Sequence, residues 1–387
     1  MNPMIQLKKA TVHNLSITIR NILQLNGLVK TQLDYRIPLL NPASILAICL
    51  SLSALLFLPP RASADSFFFS TGSPDGLIGT LSRPASNGHV ETETADDFVL
   101  NQCVLINQAT FTGLLPMGAS LASITDVEVE FYHVFPADSD TNRTINVPTR
   151  VNSPSDVEIN DATRDSLDSS LSFNPTLLNP VFSVTNSVVN GINKGLNPFT
   201  GGEGMVTGVE VMITVTFDPP ILLPADHYFF RPEVGLSSGN FLWISAPKPI
   251  GASGTPFTPD LQSWIRNDNL DPDWLRIGTD ITGQGPFNAS FSLSGETDAA
   301  SIIDQLVPCS GPASGGTWKN HGEYVSSVAH VAQSLADQGC ISQQEIGQIV
   351  SDAARTSCGK QHQNHQKHQK HQSHQNHQKH HKHHKHH

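Results

Sequence analysis

Cysteine is scarce in this chain, and so is positive charge away from its two ends. Only five of the 387 residues are cysteines, and no two of them form a CxxC pair, which argues against a thiolate metal site. Setting aside the six basic and one acidic residues of 1–64 and the five lysines of 361–387 leaves 12 basic against 33 acidic side chains, about −21. A body so poor in bases argues against nucleic acid as a partner and is compatible with solubility, cation binding or simple repulsion from anionic polymers. No EF-hand loop is present, no internal repeat occurs before the last residues, and no apolar run reaches the roughly 20 residues of a membrane span.

The chain does carry an export pattern. Lys8, Lys9, Arg20, Lys30 and Arg36 precede an apolar run from Ile45 to Leu58, and Ala62-Ser63-Ala64 then offers a small-residue cleavage site. This predicts a Sec-type signal peptide over residues 1–64, with a long n-region and cleavage after Ala64. No stable membrane span then remains, and the destination is extracellular or the cell surface, with the periplasm as the alternative. Cys49 lies in the segment removed, and the even number left favours disulfides in an exported chain.

Residues 65–300 predict a mainly β, antiparallel, jelly-roll-like β-sandwich domain. In the stretch from Val206 to Ala246, Val209, Val211, Ile213, Val215 and Phe217 share one strand face, with Glu210, Thr214 and Thr216 on the other. Pro219, Pro220 and Pro224 are expected to break that strand, after which HYFFRPEV and FLWIS complete a three-stranded meander. DVEVEFYHVF puts Val127, Val129, Phe131, His133 and Phe135 opposite Glu128 and Glu130. FNASFSLSG puts Phe287, Ala289, Phe291 and Leu293 opposite Asn288, Ser290 and Ser292. Both alternations predict strands with one wet face. From Ala137 to Gly204 the signal fades into polar, turn-rich sequence that reads as a long insertion.

The period changes at Cys309. Val325, Val328, Ala329, Ala332, Leu335 and Ala336 fall on one helical face, and Ile346, Ile349, Val350 and Ala353 on another. Gly339 ends the first helix, and Ser342 with Glu345 forms a capping box for the second. Residues 301–360 thus read as a helical hairpin whose antiparallel packing brings Cys309 to Cys358 as a disulfide. Cys340 falls at the opposite tip, about 25 Å away. It is left either to pair with Cys103 or to stay free.

TGGEG, LPADHYFFRPEV, SAPKPI, LQSWIRN and NLDPDWLRIGTD resemble an uncharacterised family of exported bacterial β-sandwich proteins. GTWKNHGEYVSSVAH to SCGK is similar to a small C-terminal helical module of the GTWKNHGxYV type. The resemblance covers most of residues 70–360 and implies export and fold. It assigns no activity and no catalytic residues.

Residues 361–387 hold 12 of the 18 histidines, at His362, His365, His368, His371, His374, His377, His380, His381, His383, His384, His386 and His387. With no apolar residues, this segment is expected to be a disordered His-rich tail. Imidazoles spaced every three residues along a flexible chain can close in twos and threes on Zn²⁺, Ni²⁺ or Cu²⁺. Divalent transition metals are therefore the partners the sequence points to. Acidification would also charge these imidazoles and draw the tail toward the acidic body or an anionic surface.

The remaining signals are weaker. Asp96 with Asp97, and Asp268, Asn269, Asp271 and Asp273, offer hard oxygen ligands for Ca²⁺, but aspartates also cap and turn without an ion. Gly235-Leu236-Ser237-Ser238-Gly239 matches G-x-S-x-G, yet strands on both sides make it a hairpin turn rather than a nucleophile elbow. His133 reads as a hydrogen-bonded core histidine, His227 sits beside Asp226 at a strand start, and Trp318, Asn320, His321 and Glu323 form a polar cluster before the hairpin. The expectation is an exported non-enzymatic β-sandwich protein with no required cofactor, whose protein or glycan partner the sequence leaves unnamed. Its alternatives are an extracellular metal-buffering or metal-delivery protein and a carbohydrate-active hydrolase using carboxylates of the central loops.

Overall fold

The computed structural model describes residues 66–360 apart from 87, 143–146, 165–169, 191, 193–199 and 248–261. The signal-peptide and tail expectations fall outside these residues. Among the described residues fifteen strands form two sheets packed face to face, followed by three α-helices. The first sheet contains β1 (Ser66–Ser70), β2 (Ile78–Leu81), β4 (Val104–Pro116), β7 (Leu171–Val184), β8 (Asn186–Val188), β9 (Val206–Leu223), β11 (Leu242–Ala246), β14 (Asn288–Ala289) and β15 (Phe291–Glu296). The second runs β13 (Leu275–Arg276), β12 (Trp264–Asn267), β3 (Thr92–Val99), β10 (His227–Leu236), β5 (Ile124–Val134), β6 (Pro154–Arg164). Pairing is antiparallel except between β2 and β8.

Alternation decides what fills the space between the sheets. Val127, Val129 and Phe131 of β5, Val211, Ile213 and Val215 of β9, and Ala289, Phe291 and Leu293 of β14 and β15 share one buried cluster. Phe230 stacks on Phe291 across the layers at 5.1 Å between ring centroids. Phe287 departs from its expected place and belongs to a second cluster with Ile265, Leu275 and Ile281.

The expected meander is not what the chain does. β9 pairs with β4 and β7, β10 with β3 and β5, and β11 with β2, β4 and β14, so consecutive strands alternate between sheets. Nor do Pro219 and Pro220 end β9. Its register on β4 slips between Ile106↔Ile221 and Gln108↔Thr216, and the two prolines lie in that bulge, where no ladder donor is required of them. The supposed insertion also contains β6, β7 and β8. Among the described residues β7 lies at an edge, pairing only with β9; it alternates from Leu171 to Thr176 and then loses the pattern, with Leu177, Leu178 and Val181 exposed and register shifts at Asn179.

The helices are α1 (Ala299–Leu306), α2 (His321–Asp337) and α3 (Gln343–Arg355). The sequence reading missed α1, which Asp298 caps through the backbone N–H of Ser301. The capping box of Ser342 and Glu345 forms at α3, and Gly339 adopts φ +76° after α2. Tyr324, Val328, Ala332 and Leu335 of α2 pack with Ile302 and Ile303 of α1, Ala353 of α3, and Leu105 of β4. Two cysteine pairs lie at disulfide distance. Cys309–Cys358, with Cα atoms 5.0 Å apart, closes the base of the hairpin, and Cys103–Cys340, at 5.2 Å, ties its tip to the start of β4.

Candidate functional site

The densest polar chemistry lies on the outer face of the second sheet, and strand alternation builds it. Tyr228, Phe230 and Val234 of β10 face the core, so Arg231 and Glu233 must point away from it. The register sets Arg231 opposite Glu130 and Glu233 opposite Glu128 on β5, while Arg266 of β12 lies opposite Glu93 of β3. The face expected to be wet is largely covered. Side-chain exposure is 2% for Arg231, 0% for Glu233 and 6% for Glu93.

Five carboxylates converge on one guanidinium. Arg231 Nη2 lies 2.8 Å from both Glu93 and Glu130 and 3.1 Å from Glu91; Nη1 lies 2.9 Å from Glu233 and 3.8 Å from Glu128. Arg266 forks onto Glu93, reaches Asp271 at 3.0 Å and stacks 4.4 Å over the Trp274 ring. Tyr132 sits between Glu93 and Glu130 with its hydroxyl within hydrogen-bond reach of both, and Arg266 Nη2 donates to that hydroxyl at 3.1 Å.

Two positive charges cannot neutralise so many carboxylates, and the protonation equilibria divide accordingly. Burial would raise the Glu93 carboxyl, but Arg231 and Arg266 outweigh it and hold it below the ordinary value. For Glu130 burial prevails over Arg231 and lifts the carboxyl to about 7. Glu91 is raised by burial and by the charge of Glu93, and burial raises Glu233 well above the carboxylate range. The network opens on a cavity of about 280 Å³ that Glu158, Asp268 and Asp271 also line.

The other sequence candidates hold the structure together. Asp96 accepts from the Ser263 hydroxyl and the Ala289 N–H; Asp97 accepts from the Gln262 N–H and lies 2.6 Å from His227 Nε2. Both aspartates thereby pin β3 to the 262–289 chain. Asp268 and Asp271 border the arginine network, Asn269 N–H donates to Asn267, and Asp273 is buried 3.3 Å from Arg150. Among the described residues no group of three or more His, Cys, Asp or Glu side chains is placed to hold a metal ion.

His133 is not a core residue: its side chain is 29% exposed, 2.5 Å from Asp138, and stacks on Tyr228. Gly235–Gly239 joins β10 to β11 as a turn, with Ser237 N–H bonded to the Ser123 carbonyl. Asn320 caps α2, Trp318 donates to the Pro308 carbonyl, and both ring nitrogens of His321 face carbonyls, of Cys358 at 2.7 Å and Ala354 at 3.1 Å. That polar cluster clamps the base of the hairpin.

Sequence reasoning missed Arg231 and Arg266. The available signal was an arginine inside FFRPEV, flanked by apolar residues, in a chain where DVEVEF supplies glutamates at every second position. No family model matches the chain, and neither does any curated protein or solved structure.

Proposed function

We propose that this is an exported, non-enzymatic β-sandwich protein whose His-rich tail binds transition metals outside the cytoplasm. The single observation that carries the reading is a division of labour: the buried arginines Arg231 and Arg266 are engaged by carboxylates of the body, while 12 of the 18 histidines stand together in residues 361–387 of the sequence. The two cysteine pairs are compatible with an oxidising destination. No helix among the described residues is long and apolar enough to cross a membrane.

Calorimetry tests it on the protein beside a version ending at Lys360, with Zn²⁺, Ni²⁺, Cu²⁺ and Ca²⁺. The expected result is transition-metal heat that disappears with the tail and no heat from Ca²⁺; equal metal binding by both forms would overturn it. If deleting 361–387 also lowers metal tolerance of the producing cells, metal buffering or delivery becomes the role.

One observation favours the hydrolase alternative. Glu130 is raised to about 7 while its neighbour Glu93 is held low, the contrast that acid–base pairs use. Against it, Glu93 is clamped by two arginines and is 6% exposed. Glycan hydrolysis that Glu130→Gln abolishes without loss of fold would establish this alternative.

A further inference from the structure

The side chains of Arg150, Arg231, Arg266, Arg276 and Arg355 each pair with a carboxylate. Arg83 is the exception among the arginines whose side chains are described. Its Nη1 lies 2.5 Å from Asn240 Oδ1 and its Nη2 3.4 Å from the Val90 carbonyl, both neutral, and its Nε is buried with no hydrogen-bond partner. In a body of about −21 an arginine with no carboxylate of the described residues at ion-pair distance is unexpected. It lines a cavity of about 520 Å³ at one end of the sandwich, where the β2–β3 connection, the start of β5 and the β10–β11 turn converge. That volume lies within the roughly 300–1,000 Å³ of small-molecule sites.

The same cavity is lined by His89, Asp126 and the serines Ser86, Ser237 and Ser238, with Pro84 and Leu236 giving it an apolar flank. With no carboxylate of the described residues at ion-pair distance and only the charge of Glu233 acting on it from farther away, the Arg83 guanidinium can take one negative charge on a ligand. A dianion would meet Asp126 in the wall as well as the acidic body. The serine hydroxyls suit ligand hydroxyl groups, and the apolar flank suits the C–H face of a sugar ring. Burial lowers the Arg83 pKa, and the charge of Glu233 only partly opposes that, so a ligand carboxylate would relieve the burial of its charge.

We propose that this cavity is a binding site for a small, singly charged, carboxylate-bearing sugar, held through Arg83. The site is independent of the His-rich tail, so the two proposals fail separately.

The test titrates the full-length protein with glucuronate, glucose and inorganic phosphate, read by calorimetry and by NMR. Glucuronate should bind with a Kd of roughly millimolar or tighter, well ahead of the other two. Arg83→Gln should weaken it at least about tenfold, the loss expected for a hydrogen bond between charged groups. Ser238→Trp, at an exposed position on the cavity wall, should block the site without touching Arg83, and serves if the first variant does not fold. The proposal is overturned by no glucuronate binding up to about 10 mM, by glucose or phosphate binding as tightly, or by full binding in either folded variant.

Discussion

Arg231 holds its surroundings together because its position leaves no other way to bury the glutamates around it. Removing one partner of a buried charge network typically costs about 3–5 kcal/mol, since the remaining charges stay desolvated and unpaired. Arg231→Met should therefore lower stability by on the order of 4 kcal/mol at pH 7 and by less at pH 5, where more of the carboxyls hold protons; urea unfolding at the two pH values measures it. Glu130 makes the opposite test. Its folded-state carboxyl is raised to about 7 from 4.5, so its contribution is complete below pH 4.5 and is lost as pH rises through 7. The wild type should lose on the order of 2 kcal/mol from this group between pH 5 and 8, and Glu130→Gln should flatten that slope. Glu93, held low, works in the other direction and weakens the fold only under acid.

Among the elements, the hairpin depends most on covalent ties. Its apolar face meets the sandwich through little more than Leu105 and partly buried Leu222, so Cys103–Cys340 carries much of the attachment. Cys340→Ala should leave the sandwich folded but make the α2–α3 connection cleavable in limited proteolysis, whereas Cys358→Ala should open the base and expose Trp318. Tryptophan fluorescence distinguishes the two, and identical resistance to protease in both would count against the assignment. Within the sheets, Gly113 admits no side chain: a Cβ there would meet the Phe241 ring at 2.2 Å and the Leu242 carbonyl at 2.6 Å. Gly113→Ala should cost about 1–3 kcal/mol, read from the thermal midpoint. The strands of β5 and β9 were legible because each buries one face and alternates strictly. β7 was not, because it buries only its ends, at Leu171 and Val184, while Leu177, Leu178 and Val181 between its prolines stay exposed and break the alternation.

Across the molecule, charge is sorted by segment. The two buried arginines sit within a ring of carboxylates on the outer sheet face, Arg83 lines a cavity of about 520 Å³, and five lysines and 12 histidines are concentrated in the last 27 residues of the sequence. The tail and the arginine network should therefore respond to pH independently. Truncation at Lys360 should leave the pH dependence of unfolding between pH 5 and 8 unchanged, and a changed slope would mean that the tail contacts the body.

The mainly β class, the inward residues of β5, β9 and β15, the capped hairpin and the concentration of histidines all follow from the sequence alone, because periodicity, capping and composition are local properties. Which strands pair, and what the outward residues meet, is decided only by the tertiary structure. Glu93, Glu130, the Arg231–Glu233 pair of β10 and Arg266 are far apart in the chain, and each alone reads as a solvated charge. They become a buried network when the chain crosses between sheets and aligns β3, β5, β10 and β12, because that register takes their charges out of water and only opposite charge offsets the lost hydration.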